Sequence, residues 1–132
     1  MHRGATLGIM LAGIVAAVLS LWAFATPALA DSYPVSGAWG QSTNSSAGAI
    51  TCTGKRVITF NGNQRTDSKG GVSAYRNKSI TPLGPSRYRV VDWFSTGQIR
   101  NGTVIYTLRL VDADHIEMIM QAGGTLKLQR CQ

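Results

Sequence analysis

Beyond residue 30 the sequence predicts an all-β domain: a small antiparallel up-and-down β-barrel or curved sandwich of about seven or eight strands, with one disulfide. Three observations carry this. Period-two alternation of apolar and polar residues recurs between clusters of Gly, Asn, Ser and Asp, and the spacing of an amphipathic helix is absent there. Cys52 and Cys131 both lie in this part, and an even count in an exported chain points to a bridge between them. The long apolar stretch is confined to the first thirty residues.

Those thirty residues have the parts of a cleavable secretory signal. His2 and Arg3 form a basic start, Leu7 to Ala25 a mostly apolar run, and Ala28-Leu29-Ala30 a small-x-small end before Asp31. A retained anchor is the alternative, because a run of about 19 apolar residues just crosses a bilayer. Thr26-Pro27 breaks such a helix, so cleavage after Ala30 and no stable membrane anchor are expected. Neither a twin arginine nor a cysteine stands at the cleavage point, which favours general bacterial secretion to the periplasm or beyond. Removing residues 1–30 from the 132 leaves one domain, 31–132, and the loss of Arg3 takes the net charge from +7 to +6. That charge serves solubility first and an anionic partner second.

Strands are expected near 35–41, 56–61, 72–78, 86–95, 103–111, 115–121 and 125–131, with a polar loop from Ser42 to Ala49. The last three allow a sharper argument, because facing residues of an antiparallel pair point to one side of the sheet. Tyr106, Leu108 and Leu110 share a face, as do Ile116, Met118 and Met120, and Leu126 and Leu128. A loop Asp112-Ala113-Asp114 sets Leu110 by Ile116, Leu108 by Met118 and Tyr106 by Met120; on the other face Arg109 then meets Glu117. For the final hairpin a loop Ala122 to Gly124 sets Met120 opposite Leu126 and Met118 opposite Leu128, with a glycine in the left-handed position.

In the segment 86–95, Arg87-Tyr88-Arg89-Val90 alternates, but Val90-Val91 and Trp93-Phe94 break the pattern. A bulge near Val90 that buries both rings is expected; exposure of Trp93 or Phe94, hinting at an interface, is the alternative. Asp92 among these apolar residues reads as a buried carboxylate satisfied by hydrogen bonds.

No catalytic constellation emerges. A Ser-His-Asp arrangement would have to use His115, whose neighbours Asp112 and Asp114 sit in a turn that favours Asp in any case. Glu117, the one glutamate, is assigned to the outward ion pair, so paired-carboxylate chemistry has no second member. Zinc spacings and phosphate-cradling motifs are missing, and neither metal nor cofactor is expected. Asn44, Asn77 and Asn101 begin glycosylation triplets, which in a bacterial protein read as turn residues.

Gly37-Ala38-Trp39 resembles the Gly-x-Trp that opens the first strand of lipocalins and related small barrels, including bacterial periplasmic inhibitors of secreted metalloproteases. The resemblance implies a basic residue on the last strand stacked on that tryptophan, and Arg130 is placed for it. It departs from the inhibitors in tying Cys52 to Cys131 rather than closing a bridge within the first half. The inhibitors' manner of insertion would assign the N-terminus Asp31-Ser32-Tyr33-Pro34 to a protease cleft; a disordered lead-in is the plainer expectation.

A non-enzymatic, monomeric binding protein follows as the functional expectation. The first reading is a lipocalin-like module for a small apolar or amphipathic ligand at the barrel mouth, with Tyr88, Trp93, Phe94, Tyr106, Met118 and Met120 as candidates. The second is a protease-inhibitor-like protein binder acting through the N-terminus or the Ser42 to Ala49 loop. The third is a binder of anionic envelope polymers through Arg76, Lys78, Arg87 and Arg89, with no nucleic acid expected in an exported chain.

Overall fold

The computed structural model describes Gly4 and residues 32–132; the rest of the segment read as a signal peptide lies outside the described residues. Eight strands follow in order: β1 (Gly37–Gln41), β2 (Val57–Asn61), β3 (Gln64–Asp67), β4 (Tyr75–Gly84), β5 (Arg87–Phe94), β6 (Gly102–Leu110), β7 (His115–Met120) and β8 (Thr125–Arg130). Each pairs antiparallel with the next, and β8 returns to β1, so the sheet is a closed barrel without free edges. Cys52 is bonded to Cys131, 79 residues away, tying the long β1–β2 connection to the end of the barrel. Such a bridge suits an oxidising compartment.

Alternation along the strands sends Trp39, Ile58, Phe60, Val90, Leu108 and Ile116 into one buried cluster with Tyr106, Met118 and Leu128. A barrel of about eight strands is just filled by such side chains. The β6–β7 hairpin has the expected register, Leu110 opposite Ile116, Leu108 opposite Met118 and Tyr106 opposite Met120. On its outer face Arg109 Nη1 lies 3.3 Å from Glu117 Oε2.

Four expectations need correction. In the β7–β8 hairpin Met118 faces Leu126 and Ile116 faces Leu128, a slip of two residues from the expected pairing. The loop has three residues, but they are Gln121, Ala122 and Gly123: the Gly123 amide donates to the Met120 carbonyl and the Met120 amide to that of Gly124. Gly123 takes the left-handed position at φ 113°, which closes this turn one residue earlier. The short strand β3 was not expected, because Gln64-Arg65-Thr66-Asp67 has no apolar residue.

The strand expected at 72–78 is β4, running Tyr75–Gly84. Its Ile80 packs against the core, and its pairing with β5 continues through Pro82. The irregularities lie on β4 and not on β5 itself: the register shifts between Asn77 and Ser79, opposite Asp92 and Val91, leaving Lys78 as the extra residue, and again between Pro82 and Gly84, whereas β5 pairs continuously with β6. The strand itself is regular, although Val91 on its other face is buried too. Tyr88, Val90, Asp92 and Phe94 point one way, and Trp93 on the other face stays 40% exposed.

Candidate functional site

Asp92 takes an inward position of β5 and is wholly buried. A carboxylate there needs partners, since an uncompensated buried charge is untenable. Four groups supply them. Oδ1 accepts from the Tyr33 hydroxyl at 2.8 Å and Asn77 Nδ2 at 3.2 Å; Oδ2 accepts from Arg65 Nε at 2.6 Å and the Tyr106 hydroxyl at 2.8 Å. The β4 bulge belongs to this arrangement: it sets Asn77 opposite Asp92 and lets the same amide reach the Val91 carbonyl at 3.3 Å. Burial, reinforced by the charge of Asp92, holds the Tyr33 hydroxyl protonated far above its ordinary range. Burial likewise raises Tyr106.

Arg65, only 3% exposed, takes an inward position of β3 and lies 3.8 Å over the Tyr75 ring. Tyr75 in turn meets Phe94 edge to face, with ring centroids 5.5 Å apart. These two rings, with Arg76, Trp93, Gln64 and Asn101, line an open cleft of about 340 Å³ at the end of the barrel bearing the loops 68–74 and 95–101. Arg76 is the cross-strand neighbour of Trp93, so a cation and a half-exposed indole share one lip. Phe94 folds over Gly102; a Cβ there would stand 2.6 Å from the ring tip, so a larger residue would have to push this wall aside. Asn101, at φ 54°, makes the left-handed turn into β6 that asparagine tolerates.

The expected ligand residues therefore divide. Trp93 and Phe94 meet at the cleft, Tyr106 and Met118 are buried in the core, and Tyr88 and Met120 pack against its margin. Met120 also borders a groove with Val104, Ile105 and Gln121. Of the cations, Arg76 joins the cleft and Lys78 is the exposed bulge residue, while Arg87 and Arg89 stand exposed on β5. Arg87 lies opposite Arg109, a like-charge pair relieved on one side by Glu117. Gln64, Tyr75 and Asn101 were not anticipated as site residues; only the Tyr75-Arg76 dipeptide, aromatic beside cation, offered a sign.

Arg130 lies over Trp39, its guanidinium 4.5 Å from the ring, and its Nη2 donates to the Ala113 carbonyl at 2.7 Å. The Ser42 to Ala49 loop is held against the barrel: Ser42 Oγ donates to Gln129 Oε1, the Gly48 amide to Asp114, and Gln129 Nε2 to the carbonyls of Ser46 and Gly48. His115 sits between two acceptors, Asp112 Oδ1 at 2.8 Å and the Asn44 carbonyl at 3.0 Å. With both ring nitrogens so engaged, the ring is a loop clamp and has no nitrogen free to activate a serine. Among the described residues no three His, Cys, Asp or Glu side chains gather as a metal site.

Fold and site together define a small, disulfide-closed, antiparallel eight-stranded barrel with a packed interior and an aromatic cleft at one end. No protein family, curated protein or solved structure matches the chain.

Proposed function

We propose that this chain is a non-enzymatic, exported, lipocalin-like binding protein that takes a small amphipathic ligand at the end of its barrel. The observation that carries the reading is the cleft formed by Tyr75, Phe94, Trp93 and Arg76, which offers apolar rings to one part of a ligand and a cation to the other. Tyr106 and Met118 are core, so the ligand sits at the barrel mouth and not deep within it. A periplasmic or secreted location agrees with the disulfide and with the signal-like start of the chain.

Titration with decanoate, followed by tryptophan fluorescence, tests this. A saturable change is expected that disappears in Trp93→Ala, while Arg76→Gln weakens decanoate by about threefold to tenfold and leaves decanol unaffected. No saturable response up to millimolar decanoate and decanol refutes it.

The inhibitor-like reading draws support from a different feature, the pinned Ser42 to Ala49 loop, whose order is already fixed before any partner arrives. Tyr33 is engaged inside the barrel, so this reading rests on the loop rather than on the N-terminus. It predicts one-to-one inhibition of a secreted protease that is lost when Ser45 and Ser46 are both replaced by Trp.

A further inference from the structure

Tyr33 belongs to no strand, yet it is only 6% exposed and packs with the core. The segment before β1 crosses the end of the barrel beside the β2–β3 turn, where the Tyr33 amide donates to the Gly62 carbonyl at 2.9 Å. Its ring meets Phe60 edge to face, centroids 5.0 Å apart, and its hydroxyl reaches Asp92 Oδ1 at 2.8 Å. Every element of recognition for a phenol is present: an apolar wall, an aromatic edge contact and one buried anionic acceptor at the far end.

That acceptor does not depend on Tyr33. Arg65, Tyr106 and Asn77 hold Asp92 in place from three other strands. The described part of the segment, residues 32–36, has one backbone hydrogen bond to the turn; Val35 packs against the core and the Ser36 carbonyl accepts from Trp39 Nε1 at 3.0 Å, but none of these residues pairs in a strand. The receptor is thus built into the barrel, while its occupant hangs on a strap.

From this juxtaposition we infer that the barrel contains a phenol-binding site, occupied by the chain's own Tyr33, which a free para-alkyl phenol enters when the strap withdraws. The strap is then an intramolecular competitor: it keeps the site closed until a phenolic ligand displaces it. Protonation is matched to the role, because a phenol that keeps its proton donates to Asp92, whereas a phenolate would repel it.

The test compares p-cresol with p-xylene, which has nearly the same shape and no hydroxyl. In Tyr33→Ala, p-cresol is expected to raise the melting temperature saturably and to bind at least about tenfold more tightly than p-xylene. In Tyr33→Phe, where a ring still fills the site, p-cresol should stabilise much less. In the unmodified protein, excess p-cresol should speed hydrogen exchange at the Tyr33 amide at least about tenfold without speeding exchange in β6 and β7. Equal binding of the two compounds to Tyr33→Ala overturns the inference, since it reduces the site to an apolar hole. So does the absence of any p-cresol effect on that variant. If Tyr33→Ala does not fold, the exchange measurement decides: selective release of Tyr33 supports the strap, and unchanged protection refutes it.

Discussion

Replacing Asp92 by Asn keeps the size of the side chain and removes its charge. The change is expected to cost more than any other single isosteric substitution in the barrel, because Asp92 is completely buried and its partner Arg65 is 3% exposed. Arg65 Nε, 2.6 Å from Oδ2, loses its counter-charge, and the Tyr106 hydroxyl at 2.8 Å from the same oxygen loses an acceptor if the amide nitrogen takes that place. Breaking one partner of a buried ion pair costs about 3–5 kcal/mol. That is a large share of the roughly 5–15 kcal/mol by which small domains are stable. Urea denaturation followed by circular dichroism measures it: at a slope of about 2 kcal/mol per molar the midpoint falls by about 2 M with the slope unchanged. Because the cost lies in stranding a charge, Arg65→Met combined with Asp92→Leu should lose at least about 1 kcal/mol less than the sum of the two single changes. A loss below about 1 kcal/mol for Asp92→Asn, or strict additivity in the double variant, would refute the idea that this pair is dry and mutually dependent.

Three further outcomes follow from the geometry. Replacing Cys52 and Cys131 by Ser should remove about 4 kcal/mol on chain-entropy grounds for a bridge spanning 79 residues, and dithiothreitol should lower the urea midpoint of the unmodified protein but not of that variant. His115 has a raised pKa, chiefly from its hydrogen bond to Asp112, helped by the Asn44 carbonyl and the charges of Asp112 and Asp114. Its contribution is therefore full below the ordinary value of about 6.5 and lost as pH climbs through the raised one. Amide exchange in residues 42–49 should quicken across that rise more than the intrinsic rate does, and His115→Gln should flatten the excess. Arg130→Met removes both the stack on Trp39 and the bond to the Ala113 carbonyl, for a loss of about 1–2 kcal/mol; Arg130→Lys should recover only part of it, because an ammonium lacks the planar face that stacks.

The β6–β7 hairpin was legible because two faces had to agree at once. Its apolar pairs fixed the loop at Asp112–Asp114, and Arg109 then fell opposite Glu117 without having been used in the choice. The next hairpin shows what such an argument leaves open. Met118, Met120, Leu126 and Leu128 are all apolar, so a slip of two residues keeps every side chain on its proper face. Turn geometry at Gly123 decides between the registers, and alternation is blind to it. The cleft was hidden for a related reason. Gln64, Tyr75 and Asn101 come from strand ends and a loop, where no period exists to show which residues converge.

The missed strand β3 and the misread alternation of β5 are one error with one cause. A pattern search assumes that inward positions are apolar, yet Arg65 takes an inward position of β3 and Asp92 one of β5, each other's partner. Taken alone, a polar residue at an inward position erases a strand or moves its apparent bulge. Asp92 is buried and hydrogen-bonded as expected; what the pattern left unplaced was Arg65, the cation that a carboxylate buried in the barrel interior calls for. That interior also constrains function. With Arg65, Asn77, Tyr33 and Tyr106 bonded to Asp92 and the apolar side chains packed around them, the proposed amphipathic ligand would have its place at the aromatic cleft. The group that meets Asp92 Oδ1 from outside the strands is a hydroxyl, that of Tyr33 at 2.8 Å, and the proposed phenol would meet it the same way.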